Sequence, residues 1–219
     1  MIRFVTGTDT GVGKTVAAAW LAARAAARGM KVGYLKPVQT GLAPGEPGGD
    51  ADFVAAAAGV PAEELLRYDE PLAPAVAAER AGRPIDAGAL IAAIRSRETG
   101  CDMILVEGAG GLLVPLTDTM TMAGLAAELD AELVVVTRPG LGTLNHTALT
   151  LEAAARRDLA VAGLVVSEFP AEPGVTEETD LERLAKMAPI LEVVPHVAGI
   201  SVERGAVESF RRAIALLRI

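Results

Sequence analysis

The chain has 219 residues, enough for one sizeable α/β domain or two small ones, and its hydrophobic share of 51% excludes a disordered polymer. Twenty Lys and Arg stand against 28 Asp and Glu, a formal charge of −8. That balance argues against nucleic acid or an anionic membrane as the main partner, because such binding rests on surplus Lys and Arg, although it leaves room for a local cationic pocket.

The most apolar stretch, Val16 to Ala27, is broken by Arg24 and falls short of the roughly 20 apolar residues of a bilayer span. The single cysteine, Cys101, forms no internal pair and is expected to be an inert thiol beside a buried strand. No basic region followed by an apolar one opens the chain, so the expected location is cytoplasmic.

Apolar runs and helical patterns alternate along the whole sequence. Ile2 to Thr6 reads as a buried strand, and Lys14 to Arg28 as an Ala-rich helix closed by Gly29. Lys31 to Leu35 is a second strand, running into Lys36-Pro37 and a Gly/Pro-rich loop, and a helix starts at Asp50. Helices are predicted over Ala75 to Ala81 and Ala87 to Arg97. Strands follow at Met103 to Val106, Leu133 to Thr137 and Ala162 to Val166, nearly free of polar residues, as in parallel strands covered on both faces. Helices at Met122 to Leu129, Leu144 to Arg156 and Glu177 to Met187 supply the cover. A short strand, Ile190 to Val194, precedes a terminal helix from about Gly205 to Leu217. With no repeat and no composition shift, the expected fold is a single doubly wound α/β domain over residues 1–219 with a mostly parallel sheet. Ligands of such sheets bind beyond the carboxyl ends of the strands, so the loops there are where chemistry is sought.

The loop after the first strand, Gly7-Thr8-Asp9-Thr10-Gly11-Val12-Gly13-Lys14-Thr15, has the glycines, the Gly-Lys-Thr ending and the strand-before, helix-after setting of a phosphate-binding loop. Glycines let successive N–H groups turn toward phosphate oxygens, and the helix start adds its positive end. Lys14 would reach the β- and γ-phosphates and Thr15 the metal. Thr8 stands where the strict motif has its first glycine, with Gly7 one place earlier. Gly-Lys-Thr alone is compatible with an ordinary helix start; the surrounding features weigh for nucleotide binding.

Lys36, at the end of the second strand, would place a second ammonium beside this loop. Asp50 or Asp52 opens the next helix, either as a cap or as a carboxylate for Mg²⁺. Glu107-Gly108-Ala109-Gly110-Gly111 ends the next strong strand, where a Walker-B acid would act on the metal.

GTDTGVGKT, KPVQTG, the Asp opening the following helix, VEGAGG and GTLNHT, in this order and spacing, resemble the dethiobiotin synthetase family. The resemblance runs from Phe4 to about Ser167 and, more weakly, through Pro195-His196-Val197. It implies a phosphate-loop α/β fold, a homodimer, and Mg²⁺- and ATP-dependent conversion of 7,8-diaminononanoate and carbon dioxide to dethiobiotin.

By motif it implies that Gly11, Val12, Gly13, Lys14, Thr15 and Val16 hold the nucleotide, with Thr15, Asp50 and Glu107 on the metal. It implies that Glu107, Gly108, Ala109 and Gly110 lie against the nucleotide, as do Ser167, Glu168, Pro195, His196 and Val197. Lys36 and Lys14 are the implied catalytic lysines. Thr10, Lys36 and Thr40 would contact the diamine or its carbamate, and Leu144 and Asn145 would reach a substrate carboxylate across the dimer. Asp52 is the alternative to Asp50 if the helix register shifts. No general-base histidine is required, so His146 and His196 are read as helix-start and loop residues. Pro71 to Ala75 and Gly111 to Pro115 are apolar enough to line the aliphatic chain.

One departure stands out. Many relatives carry an Asn that reads the adenine edge where this chain has Ser167, followed by Glu168. One hydroxyl cannot donate to and accept from two base positions at once, so the expectation is relaxed base selection, with other nucleoside triphosphates replacing ATP.

Septum-site and chromosome-partition ATPases share the Gly-Val-Gly-Lys-Thr string, but they place a signature Lys where this chain has Asp9. Related cobyrinate synthases add a glutaminase domain for which 219 residues leave no room. A regulatory domain of phosphotransacetylases is the binding-module alternative, and it would bind nucleotide without carboxylating a diamine.

Overall fold

The computed structural model describes residues 1–198 and 207–216. Phe4, Ile104, Val106, Leu133 and Val135 bury against one helical layer, and their neighbours Val5, Leu105, Val134 and Val136 against the other. Side chains alternate across a strand, so apolar residues at every position require a sheet covered on both faces.

The strands are β1 (Ile2–Gly7), β2 (Val32–Thr40), β3 (Ala62–Tyr68), β4 (Met103–Gly111), β5 (Glu132–Thr137), β6 (Val161–Phe169) and β7 (Ile190–Pro195). They form one seven-stranded sheet in the order β3-β2-β4-β1-β5-β6-β7, and every pairing between them is parallel.

The helices are α1 (Lys14–Ala27), α2 (Asp50–Ala58), α3 (Pro74–Arg80), α4 (Ala87–Ser96), α5 (Met122–Glu128), α6 (Thr143–Ala155), α7 (Val175–Leu184) and α8 (Glu208–Leu216). The layer of α1, α2 and α8 packs closely because α1 presents alanines, with Ala17, Ala18, Ala19 and Ala22 fully buried. Phe210 of α8 meets Trp20 and Phe53 edge-on, both ring pairs with centroids 5.8 Å apart. Leu125 and Leu129 help fill the opposite layer. Cys101 is a free, half-buried thiol.

Among the described residues the expected strands and helices are present, with one strand added and several strand ends extended. The edge strand β3 has no sequence signature: Ala-Glu-Glu-Leu-Leu-Arg-Tyr lacks alternation and is mostly half-buried. Pairing with β2 from Tyr34↔Ala62 to Thr40↔Tyr68 stabilises it, with Glu64 bonded to Arg67 and Glu63 to Arg97.

β2 continues through Pro37 to Thr40, because its pairing with β4 stops at Leu35↔Val106 and Pro37 lies beyond it. β4 likewise runs on to Gly111. Of the expected terminal helix, residues 208–216 are helical, while Gly205 and Leu217 lie outside the described residues.

Candidate active site

β2, β4 and β1 are neighbours in the sheet, so their carboxyl ends bring Lys36, Glu107 and the phosphate loop together. Tyr34 and Lys36 are two apart on β2 and share a face, as do Leu105 and Glu107 on β4. The helix opened by Asp50 approaches from the layer covering that face.

The side chains form one connected cluster. Thr15 Oγ1 lies 3.0 Å from both Asp50 Oδ1 and Glu107 Oε1. Lys36 Nζ lies 2.5 Å from Asp50 Oδ2 and 2.9 Å from Glu107 Oε1. The Tyr34 hydroxyl donates to Glu107 Oε2 at 2.8 Å. Burial pushes the Glu107 carboxyl above its ordinary range, against the pull of Lys36 and with the push of Asp50. Burial alone would lower Lys36, but Glu107 and Asp50 outweigh it and hold its pKa above the ordinary value. Burial lowers Lys14, and Glu107 partly opposes the shift.

Asp50 and not Asp52 belongs to this cluster. Asp52 is exposed and accepts from the Gly48 N–H at 3.0 Å, which ties it to its own loop. Gln39 Oε1 accepts from Asp50 N at 3.3 Å and anchors the helix start.

The phosphate loop closes tightly. A side chain at Gly7 would meet Asp9 O and Val12 Cγ2, each at 2.7 Å, so the glycine one place before the motif position is a steric requirement of this loop. Gly11 and Gly13 have φ of +72° and +84°, where glycine is favoured. Lys14 Nζ donates to Asp9 O at 3.0 Å. Among the described residues, no hydrogen-bond acceptor meets the N–H groups of Gly11, Val12 or Gly13.

A cavity of about 780 Å³ lies over this cluster. The loop from Thr10 to Val16 floors it; Lys36, Thr40 and Glu107 line one end, and Ser167, Glu168 and His196 the other. Ala109, Gly110, Pro195 and Val197 also border it, whereas Val12 turns to the far side of the loop. Gly108 accepts from Lys36 through its carbonyl at 3.4 Å. Of the two stretches expected to line the aliphatic chain, only Pro71 reaches this cavity; Leu72 to Ala75 and Gly111 to Pro115 do not border it, and the two stretches meet where Ala75 N donates to Pro115 O at 3.3 Å.

Leu144 and Asn145 stand apart from this cavity, at the start of α6. A second cavity of about 450 Å³ lies there, bounded by Thr8, Arg138, Thr143 and His146. His146 and His196 are both exposed, at a helix start and in a loop respectively.

A family model described as an AAA domain matches residues 3–204. The ATP-dependent dethiobiotin synthetase BioD of Mycobacterium sp. strain KMS is 48% identical over 203 residues, covering 90% of this chain and 89% of that one. The enzyme of the same name from Parafrankia sp. strain EAN1pec is 50% identical, covering 91% and 85%.

The chain belongs to the dethiobiotin synthetase family.

Solved structures extend the likeness of this dethiobiotin synthetase-family chain to the fold alone. A ParA family ATPase from Chlorobium tepidum superposes with a TM-score of 0.60 at 14% identity, covering 99% of this chain and 96% of the other. The cell division ATPase MinD from Pyrococcus furiosus gives 0.58 at 20% identity, covering 99% and 96%.

The family motifs led to every member of the acid–lysine cluster except Tyr34. Its signal was its place two residues before Lys36 on the same strand face, masked because a buried aromatic in a strand reads as core.

Proposed function

We infer that this chain closes 7,8-diaminononanoate and carbon dioxide into the cyclic urea of dethiobiotin, at the expense of ATP. The observation that carries the reading is the buried cluster of Thr15, Lys36, Asp50 and Glu107 at the end of the phosphate loop, in a chain of this family.

The oxygens of Thr15, Asp50 and Glu107 fit a Mg²⁺ ion. They are hard donors close enough to share one ion, with phosphate oxygens and water completing the shell. When bound, the ion would neutralise charge on the phosphates.

The free N–H groups of Gly11 to Gly13 and the start of α1 at Lys14 and Thr15 hold the phosphates, with Val16 beneath the nucleotide. Lys14 leaves the Asp9 carbonyl for the phosphoryl oxygens, so no backbone rearrangement is needed to aim its charge. One substrate amine takes up carbon dioxide as a carbamate and loses a proton. A carbamate oxygen then attacks the γ-phosphorus, the bond to the β-phosphate oxygen breaks, and ADP leaves. The second amine attacks the carbamoyl carbon, losing its proton as phosphate departs and the five-membered ring closes.

Lys36, fixed between two carboxylates, offers an always-charged donor to the transferring phosphoryl group and the carbamate. Thr10 and Thr40 hold the diamine side, and the two vicinal amines gain the advantage of an intramolecular reaction. Glu107 to Gly110 border the nucleotide on one flank; Ser167, Glu168 and Pro195 to Val197 lie toward its base.

The protein acts in the cytoplasm as a homodimer in which Leu144 and Asn145 serve the substrate carboxylate across the interface. Supporting this, α6 follows Gly142, which supplies no side-chain cap and so leaves N–H groups for an anion, and the neighbouring Leu141 is 99% exposed in the single protomer.

Phosphate release with Mg-ATP and bicarbonate, with and without 7,8-diaminononanoate, tests the reading. Release that needs both, with dethiobiotin formed in step, is expected. Release indifferent to the diamine would instead mark a nucleotide switch or regulatory domain.

A further inference from the structure

Ser167 sits at the end of β6, fully buried, where the register with β7 shifts and Glu168 takes a φ of +53°. Its hydroxyl has one proton. Two carbonyls face it, Val12 O at 2.5 Å and Thr137 O at 3.2 Å, and the closer one takes the bond. The side chain at this position is therefore spent on the phosphate loop and holds no free donor for a nucleobase.

The bonded carbonyl matters because of what shares its peptide group. In a trans peptide the C=O of Val12 and the N–H of Gly13 point in opposite directions, and the chain contains no cis peptide among the described residues. Val12 is buried on the side of the loop away from the main cavity, whereas Gly13 borders that cavity. Ser167 stands at one end of the main cavity, so a Val12 carbonyl fixed toward it turns the Gly13 N–H the opposite way, along the loop that floors the cavity. Gly13, at φ +84°, has no Cβ to resist rotation of this peptide. Ser167 packs so close to the loop that a Cβ at Gly13 would come within 3.0 Å of its Oγ, which leaves room only for glycine.

We propose that Ser167 is a positioning residue for the phosphate cradle, pinning the Val12 carbonyl so that the Gly13 N–H faces the nucleotide phosphates, with no part in reading the base. The inference rests on the nucleotide-binding reading above and assigns this side chain a role within it.

Titration calorimetry of Ser167→Ala and Ser167→Cys with Mg-ADP and with base-free inorganic pyrophosphate tests it, alongside melting curves. Cys keeps the shape but donates weakly. Both variants are expected to lose affinity for both ligands by a similar factor, about tenfold, as for one misaimed bond to a charged group. Their preference among ADP, GDP and CDP should be unchanged.

Loss for ADP with pyrophosphate unaffected would mean that Ser167 touches the nucleoside, and overturns the proposal; so would wild-type affinity for both ligands. If Ser167→Ala does not fold, Ser167→Cys decides on the same two ligands. Failure of the wild-type protein to bind either ligand would instead overturn the nucleotide reading, and the proposal with it.

Discussion

Lys36 and Glu107 face one another across adjacent strands at 2.9 Å, with only 6% and 1% of their side chains exposed. A pair so desolvated is retained at a cost, because each charge has lost its water. Asp50 adds a second carboxylate to the same ammonium, so one lysine holds two acids together.

Lys36→Ala leaves those two carboxylates facing each other. Removing one partner of a buried pair typically costs about 3–5 kcal/mol, so the ligand-free variant should melt well below wild type. Mg²⁺ with ADP should restore much of that loss, since a divalent cation can replace the missing charge. Nucleotide affinity should survive while turnover falls roughly a hundredfold or more, because the charge of Lys36 acts mainly in the transition state. Near-normal turnover would remove the catalytic role assigned to it.

Asp50→Asn and Asp52→Asn separate two acids on one turn of α2. Asp50 touches both Thr15 and Lys36, whereas Asp52 only holds the Gly48 N–H. Asp50→Asn should cut turnover about tenfold or more and raise the Mg²⁺ concentration for half-maximal rate. Asp52→Asn should stay within about twofold of wild type, as a surface change does. The reverse ranking would show that α2 carries the metal on its other face.

Most of this site was readable from sequence because its chemistry sits on strand ends and helix starts. Glycines, Gly-Lys-Thr and a Glu followed by a Gly-rich run in the carboxyl half of a strand are local signals, and the sheet order merely brings them together. Tyr34 was not readable, since only its three-dimensional neighbour Glu107 separates its role from core packing. β3 escaped because an edge strand with half-exposed faces needs no alternation, and tertiary pairing decides it. Ser167 stands out in the sequence only by not being Asn; its bond to Val12, 155 residues away in the chain, leaves no local pattern.

Tyr34→Phe removes the donor to Glu107 Oε2 and leaves a buried carboxylate oxygen without it. An orphaned partner of a charged group costs about 1.5–3 kcal/mol, and each kcal/mol moves the melting temperature of a domain this size by about 2–4 °C. A melting temperature lower by several degrees is expected, with turnover also reduced. An unchanged melting temperature would show that water replaces the hydroxyl at no cost.

Arg97 clamps edge strand β3 to the end of α4 through Glu63, with contacts of 3.0 and 2.7 Å. The bonds from Arg97 hold the Glu63 carboxyl below its ordinary range. A depressed folded-state pKa stabilises above the unfolded value and is lost as pH falls through the folded one. Both side chains are more than a third exposed, so solvent screens the pair. Arg97→Ala should therefore cost less than about 1 kcal/mol at neutral pH. Urea melts should show that difference vanishing in acid, and a difference growing in acid would refute the assignment.

Base selection follows from what the nucleoside end of the cavity offers. The Ser167 hydroxyl is bonded to the loop carbonyl, and Pro195 and Val197 carry no side-chain hydrogen-bonding group. A site discriminates strongly only when its own polar groups go unpaired with the wrong ligand. Turnover with GTP, CTP and UTP should accordingly fall within about tenfold of ATP when kcat/KM values are compared. A preference for ATP of a hundredfold or more would mean that the Glu168 carboxylate, the His196 imidazole or backbone groups of the Pro195 to Val197 turn read the adenine edge. The Glu168→Ala and His196→Ala variants would then separate them, each losing the preference only if its side chain is the reader, and both keeping it if the backbone is.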